Sequence, residues 1–345
     1  MTPREHVVLA AYTTLEVGGP ARWFVEAADE VTILSALSWA RGRGVPLRVL
    51  GGGSNVVVPD EGVEALVVRL AVRGIEFRAT DAGVEVTAAA GEPWDDLVRL
   101  TVERGWAGLE CLSGIPGLVG ATPIQNVGAY GQEVAETVTR VRALDTRHAR
   151  VVDVTAADCK FAYRDSAFKR DEPGRFVVLA VTYRLRPGGT PAVRYADVER
   201  HLGERGVRAP RLADVRESVV AIRRSKSMVI DPADPNRRSC GSFFTNPVVE
   251  CEALADVERH AGADGMPRWP QPDGRVKLSA AWLIEHAGFR RGQREGPVGL
   301  STRHALAIVA HDGARATDVL AFAARVQRAV AERFRVVLTP EPVYW

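Results

Sequence analysis

Residues 239–247 read SCGSFFTNP, with a thiol (Cys240) and a hydroxyl (Ser242) on either side of one glycine and two aromatics behind them. Cys240 or Ser242 could be a nucleophile, either could deliver a proton, or the stretch could be a tight bend in a buried strand. A nucleophile needs a base and an acyl or glycosyl transfer site. The chain has no G-x-S-x-G, and no His is placed by sequence to serve Ser242. If the segment is extended, Cys240 and Ser242 share a face.

Further stretches carry chemistry. LGGGSN (50–55) exposes consecutive backbone N–H groups and tolerates positive φ, so it could wrap a diphosphate; Ser54 and Asn55 add donors. It fails the dinucleotide fingerprint at Val56 and could equally be a plain turn. SGIPGLVGATPIQNVGAYGQEV (113–134) is glycine-punctuated by Gly114, Gly117, Gly120, Gly128 and Gly131, with Thr122, Gln125, Asn126 and Tyr130 between them. Two such loops favour a large phosphate-bearing cofactor, with two unrelated turns as the alternative. FAYRDSAFK (161–169) sets Tyr163 and Arg164 beside Asp165: a guanidinium for a substrate carboxylate or enolate, or a structural Arg–Asp pair. Glu341 lies between two prolines in LTPEPVYW. Lysine is scarce, only Lys160, Lys169, Lys226 and Lys277 among 45 basic residues. Biased base composition of the coding DNA is one explanation; the other is that a surviving lysine marks a place where a compact ammonium is wanted, a weak pointer to Lys226 and Lys277.

The elements that must position these residues read as α+β. Residues 20–75 read strand–helix–strand, with Val31, Leu34, Leu37 and Ala40 at helical spacing and Gly42 and Gly44 as stops. PLRVLGGGSNVVV reads as a buried strand broken by glycines. Residues 74–91 and 138–155 read as hairpins, 92–106 and AADCKF as short helices, and 175–189 as a long strand. Toward the C-terminus 213–226, 277–288 and 317–334 read as helices, with Ser279 as an N-cap and Gly288 as a stop. The final segment, RVVLTPEPVYW, reads as a strand. The 345 residues suit two or three domains.

Net charge is +2 and charged residues are 26%, which gives no case for nucleic acid or an anionic membrane. No run approaches the ~18 apolar residues of a membrane span, and the N-terminus does not read as a signal peptide. Cytoplasm is the expected location. Cys111, Cys159, Cys240 and Cys251 are far apart, with no C-x-x-C and no His at zinc spacing, so reduced thiols and no metal are expected.

Taken in order, TTLEVGGPARWFVEA, VLGGGSNVVV, GIPGLVGATPIQNVGAYGQEV, YRDSAFK, GSFFTNPVV, KLSAAWLIEHAG and LTPEPVYW resemble the UDP-N-acetylenolpyruvoylglucosamine reductase family over nearly the whole chain. The resemblance implies a vanillyl-alcohol-oxidase (PCMH) type of FAD fold. Its FAD-binding subdomains would span 1–72 and 73–212, and a C-terminal α+β substrate-binding domain 213–345, with 335–345 returning Glu341 to the active site. It implies that FAD takes hydride from NADPH and passes it to C3 of the enolpyruvyl group of a nucleotide sugar. Arg164 and Glu341 match catalytic positions, and Ser242 matches the donor of a proton to C2. Gly51, Gly52, Gly53, Ser54, Asn55, Gly114, Gly117, Gly120, Thr122, Gln125, Asn126 and Gly128 would hold FAD. Tyr130, Tyr163, Tyr195, Lys226 and Asn246 would hold substrate, Tyr195 on a loop over the diphosphate in the long-form subgroup. No His lies between His6 and His148 and no Cys before Cys111, so the first phosphate loop offers no covalent tether and FAD is expected to be non-covalent. A monomer is the family-like expectation. A flavin oxidase, or a nucleotide-sugar-binding module without catalysis, has no use for GSFFTNP together with the terminal Glu.

Overall fold

The structure is a computed structural model that describes residues 1–261, 265–271 and 273–345. The chain forms two compact units. The first comprises Met1–Val7, Ala21–Gly53 and Glu64–Ile230; the second comprises Val8–Pro20, Ser54–Val63 and Asp231–Trp345.

In the first unit, strands Arg4–Val8, Pro20–Ala27, Val63–Leu70 and Leu47–Leu50 form a four-stranded sheet in that order, with helix α1 (Glu30–Arg43) between its second and last-named strands in sequence. Asp29 caps α1 by accepting from Thr32 N–H at 2.7 Å, and Gly44 ends it in the left-handed region. The buried stripe of α1 is Ile33, Ala36, Leu37 and Ala40. Val31 and Leu34, expected on that stripe, are exposed at 72% and 39%. The face is rotated because Ile33 is the better partner, at i and i+4, for Leu37.

A second sheet is antiparallel, in the order Arg150–Thr155, Val138–Asp145, Phe176–Pro187, Gly83–Ala89, Ile75–Thr80. Both expected hairpins are present. The long strand Phe176–Pro187 is central, paired on both sides, which explains its nearly continuous apolar run. Val84, Val86 and Ala88 alternate into the core with Trp94, Leu97 and Val98 of helix α2 (Trp94–Glu103). The stretch AADCKF forms turns rather than the expected helix. The Thr155 hydroxyl donates to Asp158 at 2.6 Å, and Lys160 takes φ +45°, so local bonds close the segment after one turn. Helix α3 (Ala167–Arg170) follows. Helices α4 (Ala196–Glu204) and α5 (Leu212–Ser225) then pack Val198 and Leu202 against Val215, Val219 and Ile222. The sequence reading puts a boundary before residue 213; the compact units divide after Ile230, because α5 packs on α4.

In the second unit, helices α6 (Cys251–Ala261), α7 (Ala280–His286) and α8 (Ala316–Phe334) accompany small sheets. The core joins Phe243, Phe244, Leu283, Ile284, Val319, Val326 and Phe334. Ser279 caps α7 as expected, and Gly288 follows it at φ +100°. Segments 8–20 and 54–63 belong here: Leu15, Val17 and Val57 enter the core, and Asp60 accepts from the N–H groups of Ala316 and Thr317 at the start of α8, at 2.7 and 3.0 Å. The glycine break in PLRVLGGGSNVVV therefore separates two strands of different sheets, Leu47–Leu50 and Val56–Val57. The terminal strand is shorter than expected. Only Val343–Tyr344 pair, parallel to Val56–Val57, because Pro340 and Pro342 have no N–H to extend a ladder.

Asp145, at the end of a sheet strand, is 1% exposed. Arg175 donates to both its oxygens at 3.1 and 2.7 Å, and His148 Nδ1 lies 2.8 Å away. The Arg175 hydrogen bonds outweigh burial and hold this carboxyl well below its usual 3.8. A depressed carboxylate stabilises the fold above its ordinary value and loses that contribution as pH falls through the lowered folded one. Asp145→Asn is expected to cost about 2–3 kcal/mol at neutral pH. The gap to the parent should narrow as pH falls below 3.8. Urea unfolding at several pH values measures this; a pH-independent gap contradicts it.

Candidate functional site

In the first unit the glycine loops touch. A Cβ on Gly52 would sit 2.9 Å from the Cα of Gly117, so neither loop could approach with side chains there. Gly53, Gly114 and Gly117 have φ of +65°, +71° and +117°, conformations that favour glycine. Gly120 lies against Ala90, where a Cβ would come within 2.6 Å. Both backbone polar groups of Gly114 are held. Its N–H donates to Asp95 Oδ1 at 2.6 Å, and its carbonyl accepts from Arg223 Nε at 3.1 Å. Asp95 is in turn held by Arg216 in a two-pronged pair at 2.6 and 2.8 Å.

The polar side chains of this loop are committed within the protein. Thr122 donates to Val119 O at 2.8 Å and shares a 2.8 Å hydrogen bond with buried Tyr183. Asn126 donates to Glu133 and Ala162 O at 2.7 and 3.0 Å and accepts from Ala135 N–H. These residues shape the loop; what they can still offer a ligand is backbone. Gln125 is half-buried.

Asn126, Tyr130 and Arg164 all take left-handed backbone, at φ +46°, +49° and +53°. Such conformations cost on the order of 1 kcal/mol each and persist where surroundings fix them. Arg164 is fixed by the Ala162–Asp165 bridge and by Lys169 Nζ on its carbonyl at 2.9 Å. Its guanidinium donates to Gly128 O at 2.6 Å and lies 5.4 Å over the Tyr163 ring. Asp165 pairs with Arg170 at 2.5 Å.

Three cations approach this region from α5 and the 163–165 turn. Arg223 is half-buried and donates to Met228 O at 2.6 Å as well as to Gly114. Among the described residues no carboxylate forms an ion pair with it. Burial lowers its affinity for a proton, the Tyr130 phenol and Asp95 act the other way, and Arg164 adds to the lowering. Tyr130 hydrogen-bonds Arg223; burial pushes the phenol up to about 12. Tyr130 meets Tyr195 edge to face at 5.5 Å. Lys226, at the C-terminus of α5, donates to Asp197 at 2.9 Å, two residues beyond Tyr195. The sequence reading missed Arg223 and Asp197. The i, i+3 spacing of Arg223 and Lys226 on a helix was the available signal.

In the second unit the opening motif meets the chain terminus. Glu341 N–H donates to Phe243 O at 2.9 Å, Thr245 N–H donates to Thr339 O at 3.0 Å, and Phe244 bridges Pro340. Glu341 is thus held beside the residue that follows Ser242. Asn55 anchors the same strand: its amide donates to Glu341 O at 3.2 Å, and its carbonyl accepts Val343 N–H at 3.0 Å. Phe243 and Phe244 are buried and pack at 5.3 Å. Asn246 accepts Ala280 N–H at 2.9 Å, which turns its NH₂ the other way. Gly241 takes φ +74°, so the segment is kinked rather than extended. Cys240 and Ser242 therefore do not share a face: Cys240 enters the core at 4% exposure and Ser242 stays half-exposed.

The sequence profile of the UDP-N-acetylenolpyruvoylglucosamine reductase C-terminal domain matches residues 232–345, and that of an FAD-binding domain matches 21–155. The UDP-N-acetylenolpyruvoylglucosamine reductase of Saccharopolyspora erythraea is 50% identical, covering 99% of this chain and 95% of its own. The chain belongs to the UDP-N-acetylenolpyruvoylglucosamine reductase family. The Thermobifida fusca relative of the same name is 46% identical over 98% of this chain and 96% of its own. The crystal structure of the Thermus caldophilus reductase aligns at a TM-score of 0.65 and 29% identity, covering 99% of both chains. Members are flavin-dependent oxidoreductases, and this one carries the FAD-binding domain. The α+β flavoprotein fold expected from sequence is the one found.

The thiols follow burial. Burial pushes the Cys111 and Cys159 thiols up to about 12 and raises Cys240 too, while Cys251 is exposed. A thiol reagent at neutral pH is expected to label Cys251 alone, and Cys251→Ser protein should resist both labelling and inactivation. Rapid inactivation of Cys251→Ser would return Cys240 to the chemistry.

Proposed function

We propose that this protein reduces the enolpyruvyl double bond of UDP-N-acetylglucosamine enolpyruvate to give UDP-N-acetylmuramate, a step of peptidoglycan precursor synthesis, with NADPH as hydride donor. The observation that carries this reading is the pairing of the Ser242 segment with the Glu341 segment through Glu341 N–H and Phe243 O. That bond sets the backbone of Glu341 against Phe243, the residue after the half-exposed Ser242.

The residues fit a bound FAD. Gly52 and Gly117 leave room only for backbone, and Arg223 beside Gly114 adds a positive charge that among the described residues forms no direct ion pair, though Asp95 acts on it. Gly51–Gly53 with Ser54 and Asn55, and the loop from Gly114 to Gly128, would hold it. Thr122 and Asn126, whose side chains are spent on the protein, would contribute backbone. When bound, FAD supplies hydride transfer from nicotinamide to substrate carbon.

The chain's own groups do the rest. Hydride arriving at C3 of the enolpyruvyl group moves electrons onto C2 and the carboxylate. Arg164, fixed through Gly128 O, holds that carboxylate and stabilises the enolate. Glu341 shares a proton with the intermediate. Ser242 gives its proton to C2, completing addition of hydride and proton across the double bond. Tyr130, Tyr163, Tyr195, Lys226 and Asn246 hold the nucleotide sugar; the NH₂ of Asn246 and the ammonium of Lys226 suit phosphate oxygens. The enzyme works in the cytoplasm as a monomer. Among the described residues no helix is long and apolar enough to cross a membrane.

Ser242→Ala holoenzyme is expected to be reduced by NADPH at the parent rate. Its reoxidation by the enolpyruvyl nucleotide sugar should slow roughly 10²–10⁴-fold. Stopped-flow absorbance of each half-reaction measures this, and unchanged reoxidation removes Ser242 as the donor. Acid denaturation is expected to release the flavin into solution; yellow colour kept by the precipitate would show a covalent link.

A further inference from the structure

Glu110 is a fully buried acid, 0% exposed, outside the groups assigned above. A buried carboxyl must find donors or destabilise the fold. Glu110 finds them on separate pieces of chain. Gly108 N–H donates to one oxygen at 2.7 Å; Ala192 N–H, at 2.8 Å, and the Gln132 amide, at 3.4 Å, donate to the other. Its neighbour Cys111, also 0% exposed, completes the lock. The Cys111 thiol donates to Ala192 O at 3.0 Å, and its N–H donates to Gln132 Oε1 at 2.9 Å. Both backbone polar groups of Ala192, and both ends of the Gln132 amide, are thus held by consecutive residues.

The tied segments lead to the two tyrosines. Ala192 lies three residues before Tyr195, and Gln132 two residues after Tyr130. A second tie joins them nearer the rings: Arg194 donates to Gly131 O at 3.2 Å and pairs with Glu136 at 2.9 Å. Between these ties Tyr130 and Tyr195 meet edge to face, and the loop from Pro187 to Tyr195 otherwise has no regular structure. An irregular loop that must present a ring in one place needs such an anchor.

We propose that Glu110, with Gln132 and the Cys111 thiol, is a positioning residue that fixes the Tyr130–Tyr195 pair for the nucleotide sugar. This rests on the reading that Tyr195 faces substrate. Both Glu110 oxygens act as acceptors, so Glu110→Gln places an NH₂ against a backbone N–H and releases one tie with little change of volume. The ordering of the loop is then paid at binding, which weakens substrate affinity without touching the hydride step.

The test uses holoenzyme of Glu110→Gln, Tyr195→Ala and their double variant, with Cys111→Ala and Cys111→Ser as a milder pair. Glu110→Gln is expected to raise the KM for the enolpyruvyl nucleotide sugar about 10-fold, with flavin reduction by NADPH within about twofold of the parent. The double variant should be no weaker than Tyr195→Ala alone, because both act through the same ring. Cys111→Ala should raise KM about threefold and Cys111→Ser should restore it, a comparison that decides the matter even where Glu110→Gln does not fold. If Tyr195→Ala raises KM but the two effects multiply, or Glu110→Gln slows flavin reduction equally, the positioning role is overturned and the reading of Tyr195 stands. If Tyr195→Ala leaves KM unchanged, that reading falls and this inference with it.

Discussion

The backbone of Gly114 is gripped on both sides: Asp95 takes its N–H and Arg223 its carbonyl. Much of the first unit follows from that. Asp95 sits in the first turn of α2, where a carboxylate also suits the helix dipole, and it reaches α5 through Arg216. Arg216, Arg223 and Lys226 descend one side of α5, so a single helix fixes the glycine loop, meets the Tyr130 phenol and ends at Asp197 beside Tyr195. Arg223 gives its hydrogen bonds to carbonyls and a phenol, and Asp95 acts on its charge without a direct ion pair. In the proposed reading a cofactor carrying phosphate adds to the field of Asp95 on that charge, and the contact between Gly52 and Gly117 keeps side chains out of the way.

The second unit solves a different problem, that of holding a carboxylate on a segment with too few donors to form a full strand. Pro340 and Pro342 flank Glu341, so its own N–H is the donor left to use at that point. It goes to Phe243 O, while Asn55 takes the carbonyl. The buried phenylalanine pair keeps Phe243 from moving, and the φ of Gly241 turns Cys240 inward while Ser242 stays half-exposed. In the proposed reaction Ser242 is the proton donor, and a rigid backbone serves it because serine depends on geometry, not on an intrinsically favourable pKa.

Long periodic elements were legible in the sequence. The apolar stripe of α8, the hairpins and the cap of α7 follow from local spacing and local hydrogen bonds. The stripe of α1 was misplaced because Val31–Leu34 and Ile33–Leu37 overlap, and only tertiary packing chooses between them. The kink at Gly241 was hidden because glycine permits an extended and a left-handed backbone alike. Motif order was enough to name the candidate site, but not what each side chain spends itself on. The side chains of Asn126 and Thr122 bond to Ala162 and Tyr183, which arrive from distant sequence, and one N–H of Asn55 goes to Glu341 O. Arg223 was within reach, one helical turn from Lys226, but its value lies in a contact with a loop over a hundred residues away.

The central claim is that one bound flavin carries electrons from a nicotinamide to an enolpyruvyl nucleotide sugar. Anaerobic titration tests it most directly: the purified yellow protein is bleached with NADPH, and UDP-N-acetylglucosamine enolpyruvate is then added without oxygen. The account predicts immediate return of the oxidised flavin spectrum, with one UDP-N-acetylmuramate formed per flavin. A flavin that stays bleached until oxygen is admitted would contradict it and show an oxidase, and colourless protein that binds the nucleotide sugar would show a module without the reaction.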